Sequence, residues 1–101
     1  MDMQVKRAGR CLEIYLKGEL DHHGAKGLMA RLDSEIEPVM PLQLVLDLSG
    51  ITFMDSSGIA IVVRIRQRVS AWGGRAKLRN VPPQAKKVLD AAAIGRLVEM
   101  E

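Results

Sequence analysis

The sequence predicts a single α/β domain in which a mixed β-sheet, antiparallel in its first hairpin and parallel in the remainder, packs with about three helices. Three observations predict it. Two strand signals open the chain and helix and strand signals alternate from there on, the order that makes strand–helix–strand crossovers with parallel neighbours. Apolar residues make up 48% of the 101 residues, enough for one hydrophobic core at a common domain size. Charged residues, 27% of the total, are interleaved with the apolar ones, and no stretch joins low hydrophobicity to high net charge as disordered segments do. Residues 1–101 therefore read as one domain without internal repeats.

From Cys11 to Lys17 the residues alternate, with Leu12, Ile14 and Leu16 on one face and Cys11, Glu13, Tyr15 and Lys17 on the other. That is a half-buried strand. Met3 to Ala8 alternates more weakly, and Gly9-Arg10 is a two-residue break, so the two segments predict an antiparallel hairpin. Asp21 is a good helix cap, and Ala25, Leu28, Met29, Leu32 and Ile36 follow at helical spacing, predicting a helix from about His22 to Glu37. Gly24 and Gly27 weaken its first turns by about 1 kcal/mol each relative to Ala, and Pro38 and Pro41 stop it. Leu42 to Leu48 is almost continuously apolar, as in a central strand covered on both faces, and Ser49-Gly50 ends it. A second helix is expected from near Ser56 to Ala71, with Gly73-Gly74 terminating it and Arg64, Arg66 and Arg68 complementing the negative pole of its dipole. Ala76 to Val81 reads as a short strand. Pro82-Pro83 opens a third helix carrying Ala85, Val88, Leu89 and Ala92, Gly95 caps its end, and Leu97 to Met100 makes the last strand.

Composition narrows the functional classes. The longest apolar stretch, Ile59 to Val63, is far below the roughly 18 residues of a membrane-spanning helix, and Arg64 interrupts it. Met1 to Arg10 is polar and basic without the apolar core of a secretion signal. A cytoplasmic protein with no membrane partner is the expectation. The single cysteine, Cys11, has no partner for a disulfide or a structural zinc site. The net charge of +3 is spread over every segment, and one Phe, one Tyr and one Trp offer little stacking surface, so no direct nucleic-acid binding is expected.

The segment richest in chemistry is Phe53-Met54-Asp55-Ser56-Ser57-Gly58, between a buried strand and a helix start. Asp and Ser are the best helix caps, and a strand-to-helix turn needs one. The same position is also where free N–H groups and the helix dipole would stabilise a phosphoryl group. A nucleophilic serine hydrolase fits poorly, because the nucleophile elbow has Gly two residues before and two after the serine. Ser56 is flanked at that spacing by Met54 and Gly58, and Ser57 by Asp55 and Ile59. His22 and His23 are adjacent on a helix and do not face the same way. No metal-ligand spacing and no Walker-type phosphate cradle is present, so neither metal, cofactor nor catalytic residue is expected, and the chain is not expected to be an enzyme.

Gly18-Glu19-Leu20-Asp21-His22-His23, followed by Leu46-Asp47-Leu48-Ser49-Gly50 and Phe53-Met54-Asp55-Ser56-Ser57-Gly58, closely resembles the anti-sigma factor antagonists of the STAS domain family. The resemblance spans nearly the whole chain and keeps the motifs in order. It implies a STAS-like domain over residues 1–101 and a partner-switching role in transcription regulation, in sporulation. An unphosphorylated antagonist of this family binds an anti-sigma factor that is also a serine kinase and frees the sigma factor. Phosphorylation switches binding off, and a serine phosphatase restores it. Carried over by motif, Ser56 is the phosphorylated serine, Asp21 and His22 belong to the partner-binding loop, and Asp55, Ser57 and Gly58 frame the acceptor within the same partner-binding surface. The loop from Gly18 to His23 should lie beside the Ser56 turn, since both follow neighbouring parallel strands. The alternatives are a small serine-dependent hydrolase or transferase and a lipid- or nucleotide-sensing STAS module. Members of the family commonly carry a further C-terminal helix, and the sequence given reaches only Glu101, so part of the sheet or a helix face is expected to be less covered.

Overall fold

The computed structural model describes residues 1–101. Strand β1 (Asp2–Ala8) turns at Gly9, which has a positive φ of 59°, into β2 (Cys11–Leu20), and the two pair antiparallel from Asp2↔Lys17 to Ala8↔Cys11. The chain continues through α1 (His22–Ala25), α2 (Leu28–Ile36), β3 (Gln43–Met54), α3 (Ser56–Ser70), β4 (Arg75–Arg79), α4 (Pro83–Ala91), a 3-10 turn (Ile94–Arg96) and β5 (Glu99–Met100). The strands form one sheet in the order β1-β2-β3-β4-β5, with every pair after the first parallel. The mixed sheet and the opening hairpin are as the patterning predicts. No helix is long and apolar enough to cross a membrane.

The first helix departs from expectation. It is two helices, α1 and α2, which brings the total to four, because Lys26 turns extended with ψ 122° and Gly27 follows with a left-handed φ of 75°. Both central strands run further than their apolar runs suggest, β2 to Leu20 and β3 to Met54. Ser49-Gly50 is a site of irregularity and not a strand end: the register slips between Tyr15 and Lys17 and again between Gly18 and Glu19. Gly50 allows the slip, since a Cβ there would stand 2.9 Å from the Leu16 carbonyl oxygen. At the other end of the chain Ala93, with φ 55°, ends α4, and Gly95 lies inside the 3-10 turn instead of capping the helix. The last strand is reduced to Glu99 and Met100.

The central strand is not covered on both faces. Leu12, Ile14 and Leu16 of β2, Leu44, Leu46 and Leu48 of β3, and Leu78 of β4 join the buried faces of α2, α3 and α4 in one core of 21 residues. The alternate residues face away from it. Val45 and Asp47, 4% and 3% exposed, lie outside that core on the uncovered sheet face. They are shielded by neighbouring side chains, which is why the β3 sequence reads as buried on both sides. Arg79 Nε donates to Asp47 Oδ2 at 3.2 Å and its Nη2 to the Tyr15 hydroxyl at 3.0 Å, while Asn80 Nδ2 donates to Asp47 Oδ2 at 3.0 Å. The arginines late in α3 also do more than oppose a dipole: Arg68 pairs with Asp33 of α2 at 3.0 Å and with Glu37 just past its end, and Arg66 Nε donates to the Leu97 carbonyl at 3.0 Å.

Candidate functional site

The site begins with strand register. β2 and β3 are parallel neighbours, and Leu20 stands opposite Met54, so the next residues, Asp21 and Asp55, leave the sheet side by side. Each caps a helix in nearly the same conformation: Asp21 has φ −105° and ψ −170°, Asp55 φ −118° and ψ −166°. Asp21 Oδ1 accepts from the Gly24 N–H at 2.8 Å, and Asp55 Oδ1 accepts from the Ser57 N–H at 2.8 Å. A backbone hydrogen bond from the Asp55 N–H to the Leu20 carbonyl, 3.3 Å, ties the two turns together. The expected proximity of the Asp21 segment to the Ser56 turn is therefore met. Gly18, Glu19 and Leu20 are strand residues, and the loop shrinks to Asp21 itself.

The other singled-out residues separate by exposure. Ser56 is exposed and occupies the first helical position of α3, one place after the cap. Its side chain is not needed to cap the helix, because Asp55 does that. His22 and His23 are exposed on α1, with ring centroids 6.3 Å apart edge to face, and neither bonds to Ser56. Ser57 is half-buried, its N–H taken by Asp55. Gly58 is buried, and a Cβ there would stand 2.5 Å from Met54 Cγ, so the glycine lets α3 close onto the end of β3. Gly24 acts likewise for α1, since a Cβ at that position would overlap the Glu19 carbonyl oxygen.

The hydrogen bond from the Gly24 N–H, outweighing the slight desolvation of the group, holds the Asp21 carboxyl below its ordinary value, so it is charged at neutral pH. The positive pole of the α3 N-terminus stands beside this charge. No group of three or more His, Cys, Asp and Glu side chains stands close enough to hold a metal ion.

Two residues at the site have no role assigned by the sequence, Phe53 within the segment singled out above and Gln84 outside it. Phe53, the only phenylalanine, is 44% exposed at the end of β3 beside the Ser56 turn. Gln84, in the first turn of α4, bonds both backbone groups of Met54: its Oε1 accepts from the Met54 N–H and its Nε2 donates to the Met54 carbonyl, each at 2.8 Å. Phe53 lies beyond the expected strand end at Ser49-Gly50, and no local pattern fixes its exposure. Gln84 is thirty residues from its partner, and no local pattern marks it.

Comparison with known proteins adds to this geometry. The profile of the STAS domain matches residues 2–101. The anti-sigma F factor antagonist of Lysinibacillus sphaericus is 34% identical over 82 residues, covering 81% of this chain and 70% of the relative. That of Paenibacillus polymyxa is 29% identical over 98 residues, covering 97% of this chain and 84% of the relative. Among solved structures, the anti-sigma factor antagonist SpoIIAA in its unphosphorylated form superposes with a TM-score of 0.83 at 28% identity, over 99% of this chain and 88% of that one. The phosphorylated form of SpoIIAA, described as a Bacillus cell fate determinant, superposes with a TM-score of 0.74 at 27% identity, over 99% and 91% of the two chains.

Proposed function

The chain belongs to the STAS domain family, and from that premise we propose that it is an anti-sigma factor antagonist, a cytoplasmic switch and not an enzyme. Its unphosphorylated form binds an anti-sigma factor with serine kinase activity and frees a sigma factor, in the regulation of sporulation transcription. Phosphorylation of Ser56 by that partner switches binding off, and a serine phosphatase resets it. One observation carries the reading: two Asp-capped helix starts leave neighbouring parallel strands together, with the exposed Ser56 hydroxyl at the first position of the longer helix. Asp21, His22 and Asp55 then form the partner-facing rim, while Ser57 and Gly58 serve it from beneath by shaping the turn.

A phosphate adds about −1.5 to −2 charges at neutral pH. Placed on Ser56, it joins the carboxylates of Asp21 and Asp55 in one negative patch. A partner surface fitted to a neutral hydroxyl meets repulsion and added bulk, while the α3 N-terminus accommodates the anion and keeps the fold intact. Release is thus an event at the interface.

Incubation with ATP and the anti-sigma kinase, followed by intact-mass measurement and peptide mapping, tests the reading. One stable phosphate on Ser56 and none on Ser56→Ala are expected. Label persisting in Ser56→Ala would move the acceptor to Ser57 or elsewhere, and no label on the wild type would refute the switch. Asp21→Asn keeps an acceptor for the Gly24 N–H, so its melting temperature should stay near wild type while partner affinity falls about 10-fold or more, as expected on removing a charged interface contact. An unchanged affinity would leave Asp21 as a cap alone.

A further inference from the structure

Strand β3 runs on past the point where its neighbour stops. β4 pairs with it only from Gln43↔Arg75 to Asp47↔Arg79, whereas β3 continues to Met54. Beyond Asp47 that flank of β3 has no strand to bond, and backbone N–H and C=O groups removed from water need partners. At Met54, the residue before the α3 cap, the partner is the Gln84 side chain, whose amide supplies the acceptor and the donor together, both at 2.8 Å. A primary amide offers the same pair of groups that an adjoining strand would present. Gln84 owes its position to the start of α4, where Pro82 caps and Pro83 opens the helix. The opposite flank is held by β2, through the Leu20↔Met54 pairing and the Asp55 N–H bond to the Leu20 carbonyl. The backbone that leads into Ser56 is therefore gripped from both sides, by a strand on one and by a single side chain on the other.

Resting on the reading of Ser56 as phosphoacceptor, we infer that Gln84 is a positioning residue for phosphoryl transfer to Ser56. In that transfer the bond from Ser56 Oγ to the γ-phosphorus of ATP forms as the bond from that phosphorus to the ADP oxygen breaks, and the hydroxyl proton passes to a base on the kinase. Gln84 takes no part in these bond changes. Its two hydrogen bonds hold the β3–α3 turn in the placement where the hydroxyl meets the kinase, and they make the seating of α4 a determinant of how readily the switch is thrown.

Steady-state phosphorylation of wild type, Gln84→Ala and Gln84→Glu by the anti-sigma kinase with ATP, alongside amide exchange at Met54 followed by NMR, tests this. Gln84→Ala is expected to lower kcat about 10- to 100-fold with KM little changed, since a misplacement of about 1 Å costs on the order of 100-fold. Its Met54 amide should exchange faster while the protein remains folded. Gln84→Glu keeps the acceptor for the Met54 N–H but at neutral pH lacks the donor to the Met54 carbonyl, so its Met54 amide should stay protected while kcat falls by less than in Gln84→Ala. A lowered melting temperature with kcat unchanged overturns the inference, because Gln84 would then only stabilise the fold. So does a loss confined to KM, or a Met54 amide indifferent to Gln84→Ala. A wild type that takes no phosphate on Ser56 defeats the underlying reading as well, whereas a labelled wild type with an equally active Gln84→Ala defeats this inference alone.

Discussion

Ser56 and Asp55 divide two tasks that the sequence alone assigns to one cluster of polar residues. Asp55 caps α3 and Ser56 stands one position further on, exposed. Asp55→Ala should therefore cost about 1 kcal/mol, the usual worth of a side-chain cap, while Ser56→Ala should stay within about 0.5 kcal/mol as an exposed substitution does. Urea denaturation of the two variants checks the order, and a Ser56→Ala more damaging than Asp55→Ala would contradict it. Ser56→Asp places a carboxylate where the helix dipole favours one by about 0.3–1 kcal/mol, so folding should not suffer. Partner binding should fall without vanishing, because one charge replaces nearly two and the third acceptor oxygen is missing. Calorimetric titration should rank the affinities as wild type, then Ser56→Asp, then phosphoprotein; an aspartate variant as tight as wild type would rule out repulsion as the cause of release. Gly58→Ala is a packing change, since the added methyl meets the fully buried Met54. A loss of about 1–3 kcal/mol is expected from overpacking.

At the scale of elements, the two glycines of the first helical region weaken helix formation for different reasons. Gly27 separates α1 from α2 through a left-handed φ of 75° with open space around its missing side chain. Gly27→Ala should thus cost about 1–2 kcal/mol of conformational strain alone, or a fall in melting temperature of several degrees in a domain of this size. Gly24 has ordinary backbone angles but lies against the Glu19 carbonyl. Gly24→Ala must push α1 off β2, and with it the Asp21 cap, so its effect should be the larger in partner affinity. Paired melting and binding measurements on the two variants separate strain from displacement. Equal effects of both in both measurements would mean that α1 is not held against β2 as the contact implies.

The whole molecule is a two-layer structure with its helices on one side of the sheet and a polar lattice on the other. Asp47 anchors that lattice. Burial pushes its carboxyl up, but hydrogen bonds from Ser49, Asn80 and Arg79 outweigh this and hold it below its ordinary value. A carboxyl depressed in the folded state adds stability that is present above the unfolded value of about 3.9 and is lost as pH falls through the lower folded value. Wild type should accordingly lose stability on acidification below about pH 4, and Asp47→Asn, less stable at neutral pH, should lose less over the same range. Urea midpoints at pH 7 and pH 3 provide the comparison. A constant gap between the two proteins would show that Asp47 is not the group responsible.

The hairpin, the parallel remainder of the sheet, the α3 start at Ser56 and the closeness of Asp21 to the Ser56 turn were all legible in the sequence, because each follows from period, cap or chain order within a short window. Alternation marks β2, apolar spacing marks α2 and α4, and consecutive crossovers make strand neighbours parallel. What only the tertiary structure decided depends on groups far apart in the chain. The Leu42–Leu48 run reads as a strand covered on both faces, whereas the cover of Asp47 is polar and arrives from elsewhere, from Arg79, which also bonds Tyr15, and from Asn80. The break at Gly27, the burial of Gly58 and the grip of Gln84 on Met54 are likewise settled by which backbone comes to lie against which. Local free energy selects the elements of this chain; the packing of distant residues fixes where they end and what their side chains meet.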